Sequence, residues 1–598
     1  MAPVGGASQF DEAALHRRQQ LQGSSGPAAL VKNIKVFGIA CFACLGGLLY
    51  GYNQGVFSGV LTMTSFDDHM GVWVQNSTKK GWLTAILELG AWVGCLYSGF
   101  LAEIISRKYA ILVNTAIFII GVVVQCTAVT GAGASAILGG RFVTGMGVGS
   151  LSMIVPMYNA EVAPPEVRGA LVGLQQLAIT TGIMISFWID YGTNYIGGTG
   201  EGQHDAAWLV PLCLQLVPAV FLGAGMIFMP FSPRWLVHHD REVEARKTLA
   251  SLRDLPQDHE LIELEFLEIK AQSLFEKRST AERFPELADG SAWSTIKLQF
   301  IAVGSLFKTM PMFRRVALAT VTMFFQQVRI QADLPKCLAS GNYPRDRSSL
   351  TTPQWTGINA ILYYAPQIFK GLGLSSNTTS LLATGVVGIA MWLATFPAVA
   401  YVDKLGRKPI LISGAIGMAT CHIIVAVITA KNQDSWASHS AAGWAAVAMI
   451  WLFVVFFGYS WGPCAWIVIA EIWPISQRPY GIALGASSNW MNNFIVGQVT
   501  PDMLTGMTYG TYLFFGILTF IGAGFIWWFF PETKNLSLEE MDILFGSAGF
   551  AAADAERMRE INREVGLEEV VHGSVSEAHR PDYVDEKTGA QHKESEEL

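Results

Sequence analysis

The amino-acid sequence predicts an all-α membrane protein with twelve transmembrane helices in two six-helix pseudo-repeats. Three observations carry that prediction. The chain of 598 residues is 51% hydrophobic and only 15% charged, with a mean hydropathy of +0.36. Soluble domains carry about 25% charged residues, so a soluble chain of this length would lack the polar skin its domains need. Apolar runs long enough to cross a bilayer, roughly 20 residues each, recur along the chain. Finally, charged motifs at span ends in the first half reappear at matching places in the second.

The runs lie at approximately 36–60, 82–102, 109–130, 134–157, 170–190 and 207–229, then 380–402, 409–430, 443–470, 480–500 and 510–530. A twelfth is expected around 316–371. This divides the chain into a cytoplasmic N-terminal tail (1–34), a six-helix bundle (35–233), a cytoplasmic helical linker (234–314), a second bundle (315–545) and an acidic tail (546–598). The N-terminal tail lacks the apolar core of a signal peptide, so the first span is expected to be its own insertion signal. The C-terminal tail has no evident apolar period and is expected to be disordered. Arg107, Lys108, Arg168, Lys404, Arg407, Lys408, Arg478 and the linker fall on one side when the spans alternate. Positive charge marks the cytoplasmic face, so both termini are expected there, with the plasma membrane as the location.

Several function classes drop out. No dense basic run offers a nucleic-acid surface. Seven of the eight cysteines sit in apolar runs, and Cys41 and Cys44 have no second ligand pair. No metal or other cofactor is therefore expected. No nucleophile–base pair stands out, so an enzyme is not expected, and His238-His239 reads as incidental.

The halves echo each other. Ser106-Arg-Lys108 follows the second span and Gly406-Arg-Lys408 the eighth. Glu161-Val-Ala-Pro164 with Arg168 follows the fourth, and Glu471-Ile-Trp-Pro474 with Arg478 the tenth. Each set places carboxylate and guanidinium at a cytoplasmic helix end, within reach of its counterpart across the molecule. Arg107, Glu161, Arg168, Arg407, Glu471 and Arg478 thus read as a gate that ties the halves in one state and releases them in another. Carboxylates contribute little to the positive-inside rule, so topology anchoring alone does not explain them. Parallel six-helix repeats are the plan of many transporters that bind substrate between the halves.

These motifs also carry a resemblance. GRFVTGMGVG (140–149), PMYNAEVAPPEVRG (156–169), SPRWL (232–236), Gln326-Gln327 with WTGINAILYYAP (355–366), GRKP (406–409), WGPCAWIVIAEIWP (461–474), SSNWMNNF (487–494) and PETKNLSLEE (531–540) occur in order. The chain resembles the sugar-porter branch of the major facilitator superfamily over roughly residues 35–545. The resemblance implies alternating-access transport of a monosaccharide such as a hexose, with the lipid bilayer and a small sugar as partners.

The chemistry of the spans agrees with it. A carboxamide matches the donor and acceptor of a sugar hydroxyl, and an aromatic ring covers the apolar face of a pyranose. Amides inside lipid-spanning helices are costly unless they face partners or a wet cavity. The resemblance makes Gln176, Gln326, Gln327 and Asn359 substrate ligands, Trp466 the aromatic platform, and Asn489 and Asn493 further contacts. Tyr363 follows Asn359 by one helical turn, shares its face and is expected to contact substrate with it, and Gly357 is a natural break in that helix. Each amide also has a plainer reading as an interhelical hydrogen bond. Gly145, Gly147 and Gly149 read as helix-packing contacts.

Three departures from the family pattern matter. Asn53 stands where proton-coupled porters commonly carry Asp, leaving Arg141 without its expected carboxylate partner. An amide takes up no proton near neutral pH. Uniport is thus favoured slightly over proton symport, although Glu88 and Asp190 are titratable and could couple protons instead. Met391 replaces a sugar-contacting Asn, and Phe231 replaces the Glu of the usual PESPR pattern, removing one cytoplasmic charge contact. A non-transporting sugar sensor signalling through its tail is the remaining alternative.

The seventh span is interrupted. Residues 316–327 and 355–366 are apolar pieces of 12 residues; at about 18 Å of helix each, neither crosses a core of about 30 Å. Joined, they suffice. Val328–Gln354 between them brings Arg329, Asp333, Lys336, Arg345, Asp346 and Arg347 to membrane depth, where unpaired charge and irregular backbone are prohibitive. Our hypothesis is that these 27 residues are a retained intron read in frame. Val328-Arg329 can be encoded GTGCGT, Leu350-Thr351 can carry CTAAC, and Gln354 can be encoded CAG.

Overall fold

The computed structural model describes Arg17, Leu21 and residues 33–287, 291–327, 357–374, 376–474, 477–533, 545 and 548–571. The described residues form helices that cross the molecule twelve times in two bundles. Nine of these helices are long and apolar enough to span a membrane on those grounds alone, Ile34–Val60, Ser77–Ile105, Arg107–Thr130, Gly133–Val162, Ala206–Met226, Asn377–Ala398, Arg407–Asn432, Ser440–Ile469 and Tyr509–Phe529. The fifth span, Pro165–Thr193, and the eleventh, Arg478–Gly506, are as long but more polar. They carry Gln175, Gln176 and Asp190, and Asn489, Asn492 and Asn493, respectively. The seventh consists of Met310–Gln327 and Ile358–Gly371. Val328–Gln354 lies outside the described residues.

Local sequence explains the helix boundaries. Asn76, Ser106 and Ser232 each accept a backbone N–H three residues ahead, as N-cap side chains do. The second half of the seventh span begins at Gly357, whose φ of 87° suits a residue without a Cβ. The tenth breaks at Ser460 into Ser440–Tyr459 and Trp461–Glu471. The expected glycine packing is present. A Cβ at Gly145 or Gly149 would come within 2.0 or 1.9 Å of the carbonyl oxygens of Leu87 and Ala91, so the fourth span lies directly against the second. Large apolar side chains such as Phe221, Phe520, Trp527 and Trp528 point outward, as lipid-facing helices require.

The linker is helical as expected, in Pro233–His238, Glu242–Arg253, Glu260–Arg283 and Ala292–Ser305. The tail departs from expectation. Ala548–Glu564 and Leu567–Val571 are helices rather than disordered chain. Ile561, Leu567, Val570 and Val571 are buried against Phe266 and Phe275 of Glu260–Arg283. Arg278 pairs with Glu564 at 2.6 Å, and Arg557 pairs with Glu282. Met558, Ile561 and Val565 recur every three or four residues, a helical period that the acidic composition around them obscures. Residues 572–598 lie outside the described residues.

Candidate functional site

Five of the predicted amides come together between the bundles. Asn359 Nδ2 donates to Asn493 Oδ1 across the seventh and eleventh spans. Asn489, one turn before Asn493, is 1% exposed, and its Oδ1 has no partner among the described residues. Gln326 Nε2 donates to the carbonyl of Trp461 at 2.9 Å, at the break in the tenth span. Gln176 reaches from the other half toward the same break, its Nε2 lying 3.5 Å from where a Cβ on Gly462 would sit. Trp466, one turn beyond Gly462, is half-buried at the edge of both apolar cores. The breaks at Gly357 and Ser460 therefore bring polar groups and an aromatic ring to one level of the bundle. The side chain of Gln327 lies outside the described residues.

Two buried amides next to predicted site residues lacked a stated role in the sequence. Gln175, beside Gln176, is buried against Gly47, and neither amide atom has a hydrogen-bond partner among the described residues. Gln54, beside Asn53, donates to Glu88 Oε1 at 3.1 Å. Their adjacency to flagged residues is the one signal that could have found them. Trp490 pairs with Tyr50 across the halves, ring centroids 5.0 Å apart.

Tyr363 meets a carboxylate. Its hydroxyl donates to Glu88 Oε1 at 2.6 Å, joining the seventh span to the second. Other cross-half bonds follow toward the Ser77 end of the second span: Ser77 and Thr78 bind Asp502, Gln498 donates to the carbonyl of Thr78 at 3.2 Å, and Asn377 donates to that of Thr62 at 3.3 Å. Asn53 turns back on its own helix, donating to the carbonyl of Leu49 at 3.0 Å, and does not meet Arg141. Arg141 instead donates to the carbonyl of Thr84 at 3.0 Å and lies over the Phe57 ring at 3.9 Å.

The charged motifs at the helix ends pair alike in the two halves. The described pairs close within each half, not between halves. Arg107 pairs with Glu161 at 3.0 Å, and Glu161 accepts from Ser232 at 2.5 Å. Arg407 pairs with Glu471 at 2.6 Å, and Glu471 accepts from Thr533 at 2.8 Å. The repeat is thus a repeated triad of arginine, glutamate and hydroxyl. Among the described residues, each glutamate is held by an arginine and a hydroxyl of its own bundle. The side chains of Arg168 and Arg478 lie outside the described residues.

Phe231, where the family pattern has Glu, receives Lys108 at 5.0 Å and Arg241 at 5.4 Å over its ring, exchanging a charge contact for cation–π contacts. Met391 is buried at 3% exposure. No group of three His, Cys, Asp or Glu side chains suited to a metal occurs among the described residues. His238, in the linker, lies 3.5 Å from Glu103, and burial pushes its imidazole below the ordinary histidine range.

Comparison with known proteins matches this arrangement. The family described as "Sugar (and other) transporter" matches residues 39–329 and 349–545, leaving unmatched a stretch inside Val328–Gln354. A protein named "Probable quinate permease" from Aspergillus fumigatus is 30% identical over 542 residues, covering 89% of this chain and 92% of the relative. "Major facilitator-type transporter ecdD" of Aspergillus rugulosus is 30% identical over 554 residues, 88% of this chain and 89% of the relative. Among solved structures, the proton:xylose symporter XylE bound to 6-bromo-6-deoxy-D-glucose superposes with a TM-score of 0.64 at 26% identity, covering 85% of this chain and 99% of that one. The partially occluded inward-open form of the Escherichia coli xylose transporter XylE superposes at 0.63 and 24% identity, over 84% and 99% of the two chains. These relatives are permeases and transporters, not enzymes. With its twelve helices, its repeated triads and its family match along both bundles, the chain belongs to the sugar-transporter family of the major facilitator superfamily.

Proposed function

We propose that this protein carries a monosaccharide across the plasma membrane by alternating access, with both termini in the cytoplasm. The observation that carries the reading is the convergence of neutral amides from both halves, Gln176 from one and Gln326, Asn359, Asn489 and Asn493 from the other, beside Trp466. Neutral donor–acceptor groups match hydroxyls and offer no charge for an ionised substrate.

A second reading concerns the substrate. Relatives named quinate permeases suggest a cyclic polyhydroxy acid. Arg141, whose Nε and Nη1 are buried without hydrogen-bond partners among the described residues, favours it if the carboxylate reaches that guanidinium. Uptake of labelled glucose, xylose and quinate by transporter-deficient cells separates the two. Sugar uptake that excess quinate leaves untouched supports the monosaccharide; quinate uptake that sugars do not compete replaces it.

Coupling divides in the same way. Asn53 favours uniport, and Glu88, a carboxyl shared between the halves, favours proton symport. Accumulation that collapses with a protonophore rules out uniport.

A further inference from the structure

Glu88 is the one carboxyl that a hydrogen bond ties to the other half at mid-span among the described residues. It is 1% exposed. Its Oε1 accepts from Tyr363 of the seventh span at 2.6 Å and from Gln54 of the first span at 3.1 Å. Its Oε2 is buried with no hydrogen-bond partner among the described residues. The charged and titratable groups facing it are Arg141 on the fourth span, Tyr50 on the first and Tyr363 on the seventh. The eleventh span also packs on the second, but Arg478 and Asp502 lie at its two ends, and Asp502 is held by Ser77 and Thr78. Arg141 forms no ion pair with Glu88 among the described residues; its guanidinium is held one turn away at the Thr84 carbonyl and by the Phe57 ring.

An ionised carboxylate sealed from water without an ion pair is costly, and two neutral donors on one oxygen offset only part of that cost. A proton on Oε2 removes the charge and leaves Oε1 free to accept both hydrogen bonds. We propose that Glu88 is a proton-carrying site whose protonation is linked to closure of the external side, a role that rests on the transport reading above. When the external ends part, Tyr363 withdraws with its half and water solvates the carboxylate. When they close, the carboxyl takes a proton from external water on Oε2 and donates it later to cytoplasmic water. One proton enters and one leaves per cycle. Asn53 cannot do this, because an amide does not ionise, so the site has moved from the first span to the second. The linkage is reciprocal: a proton favours the closed state by as much as closure favours the proton.

The test measures counterflow of labelled sugar, and external alkalinisation on sugar addition, in transporter-deficient cells. Wild type, Glu88→Gln and Tyr363→Phe are compared, each with and without Val328–Gln354. Gln keeps an acceptor for Tyr363 but carries no proton. The expected result is that Glu88→Gln retains counterflow and loses sugar-driven proton influx and accumulation. Tyr363→Phe, which keeps the carboxyl, is expected to keep proton influx tied to sugar influx at whatever rate of transport remains, with its pH dependence shifted. Wild-type counterflow without proton influx overturns the proposal and leaves transport standing. So does proton-coupled accumulation by Glu88→Gln. Absence of counterflow in every form sinks the transport reading and this one with it.

Discussion

Glu532 occupies the space that a side chain on Gly406 would need. A Cβ on Gly406 would come within 2.8 Å of Glu532 Oε2. The carboxylate reaches past the glycine to accept the backbone N–H groups of Arg407 at 2.9 Å and Lys408 at 3.1 Å, capping the ninth span. In the first half the corresponding positions are Phe231 and Ser106. No carboxylate arrives from Phe231, so a Cβ fits, and the Ser106 hydroxyl itself caps the third span at Tyr109 N. Two departures in the repeat, Phe231 for Glu and Ser106 for Gly, are thus one exchange of caps.

That exchange predicts opposite signs at equivalent positions. Both residues have left-handed backbones, φ 87° at Ser106 and φ 92° at Gly406. Gly406→Ser adds about 1–2 kcal/mol of backbone strain and displaces the Glu532 cap. Ser106→Gly relieves similar strain, while Ser to Gly at an N-cap costs only a few tenths of a kcal/mol. Thermal unfolding in detergent should fall for Gly406→Ser and hold or rise for Ser106→Gly.

The two triads should differ in cost. Arg107 and Glu161 have side chains 9% and 8% exposed, whereas Glu471 is 28% exposed. Removing one member of a buried pair costs about 3–5 kcal/mol, and of an exposed pair about 1 or less. Arg107 keeps Glu103 at 2.8 Å when Glu161 is replaced, so Glu161→Gln is expected to destabilise the folded protein by about 2 kcal/mol rather than the full cost, and Glu471→Gln by less. Equal losses in denaturation midpoints would refute the ordering.

His238 makes docking of the linker sensitive to pH. Its folded imidazole lies below the ordinary value, so the unfolded state binds the proton first as pH falls. Its contribution is full above the ordinary histidine range and is lost as pH falls through it toward the folded value. Melting temperatures followed downward from pH 8 should decline less below about 6.5 for His238→Gln than for wild type. Parallel curves would show that His238 is not the responsible group.

Val328–Gln354 is open to direct decision. Sequencing mature transcripts should return messages lacking these codons, and uptake should appear in the form without them and vanish in the form with them. If every mature message keeps the codons, the intron hypothesis fails; if both forms then transport equally, the seventh span accommodates a real loop.

The amide site predicts a loss of affinity without loss of fold. Gln176 is half-buried at the interface of the halves, and its side chain forms no bond within its own bundle among the described residues. Gln176→Ala should therefore raise the apparent KM by about tenfold, the worth of one or two hydrogen bonds, and leave the melting temperature nearly unchanged. Gln326→Ala should lower both, since Gln326 also holds the Trp461 carbonyl at the break in the tenth span.

Much of the protein was legible in its sequence because lipid is a strict solvent. Polar residues in a span are few and need a reason, and the family resemblance singled out the amides at 176, 326, 359, 489 and 493 among them. The spans, their order, the repeated motifs and the interruption at 328–354 could be read the same way, from composition and spacing. The tail was misread because its apolar period is sparse and its partner, Glu260–Arg283, lies far away in the chain.

Partner choice was decided only in three dimensions. Spacing identified Arg107, Glu161, Arg407 and Glu471 as a charge set, but not that each arginine would bind the glutamate of its own half. Nor could it join Tyr363 to Glu88, on spans far apart in the chain. Hydrophobicity is a property of a segment and is written locally. A hydrogen bond or ion pair depends on distances of a few ångströms between segments, which only helix packing sets.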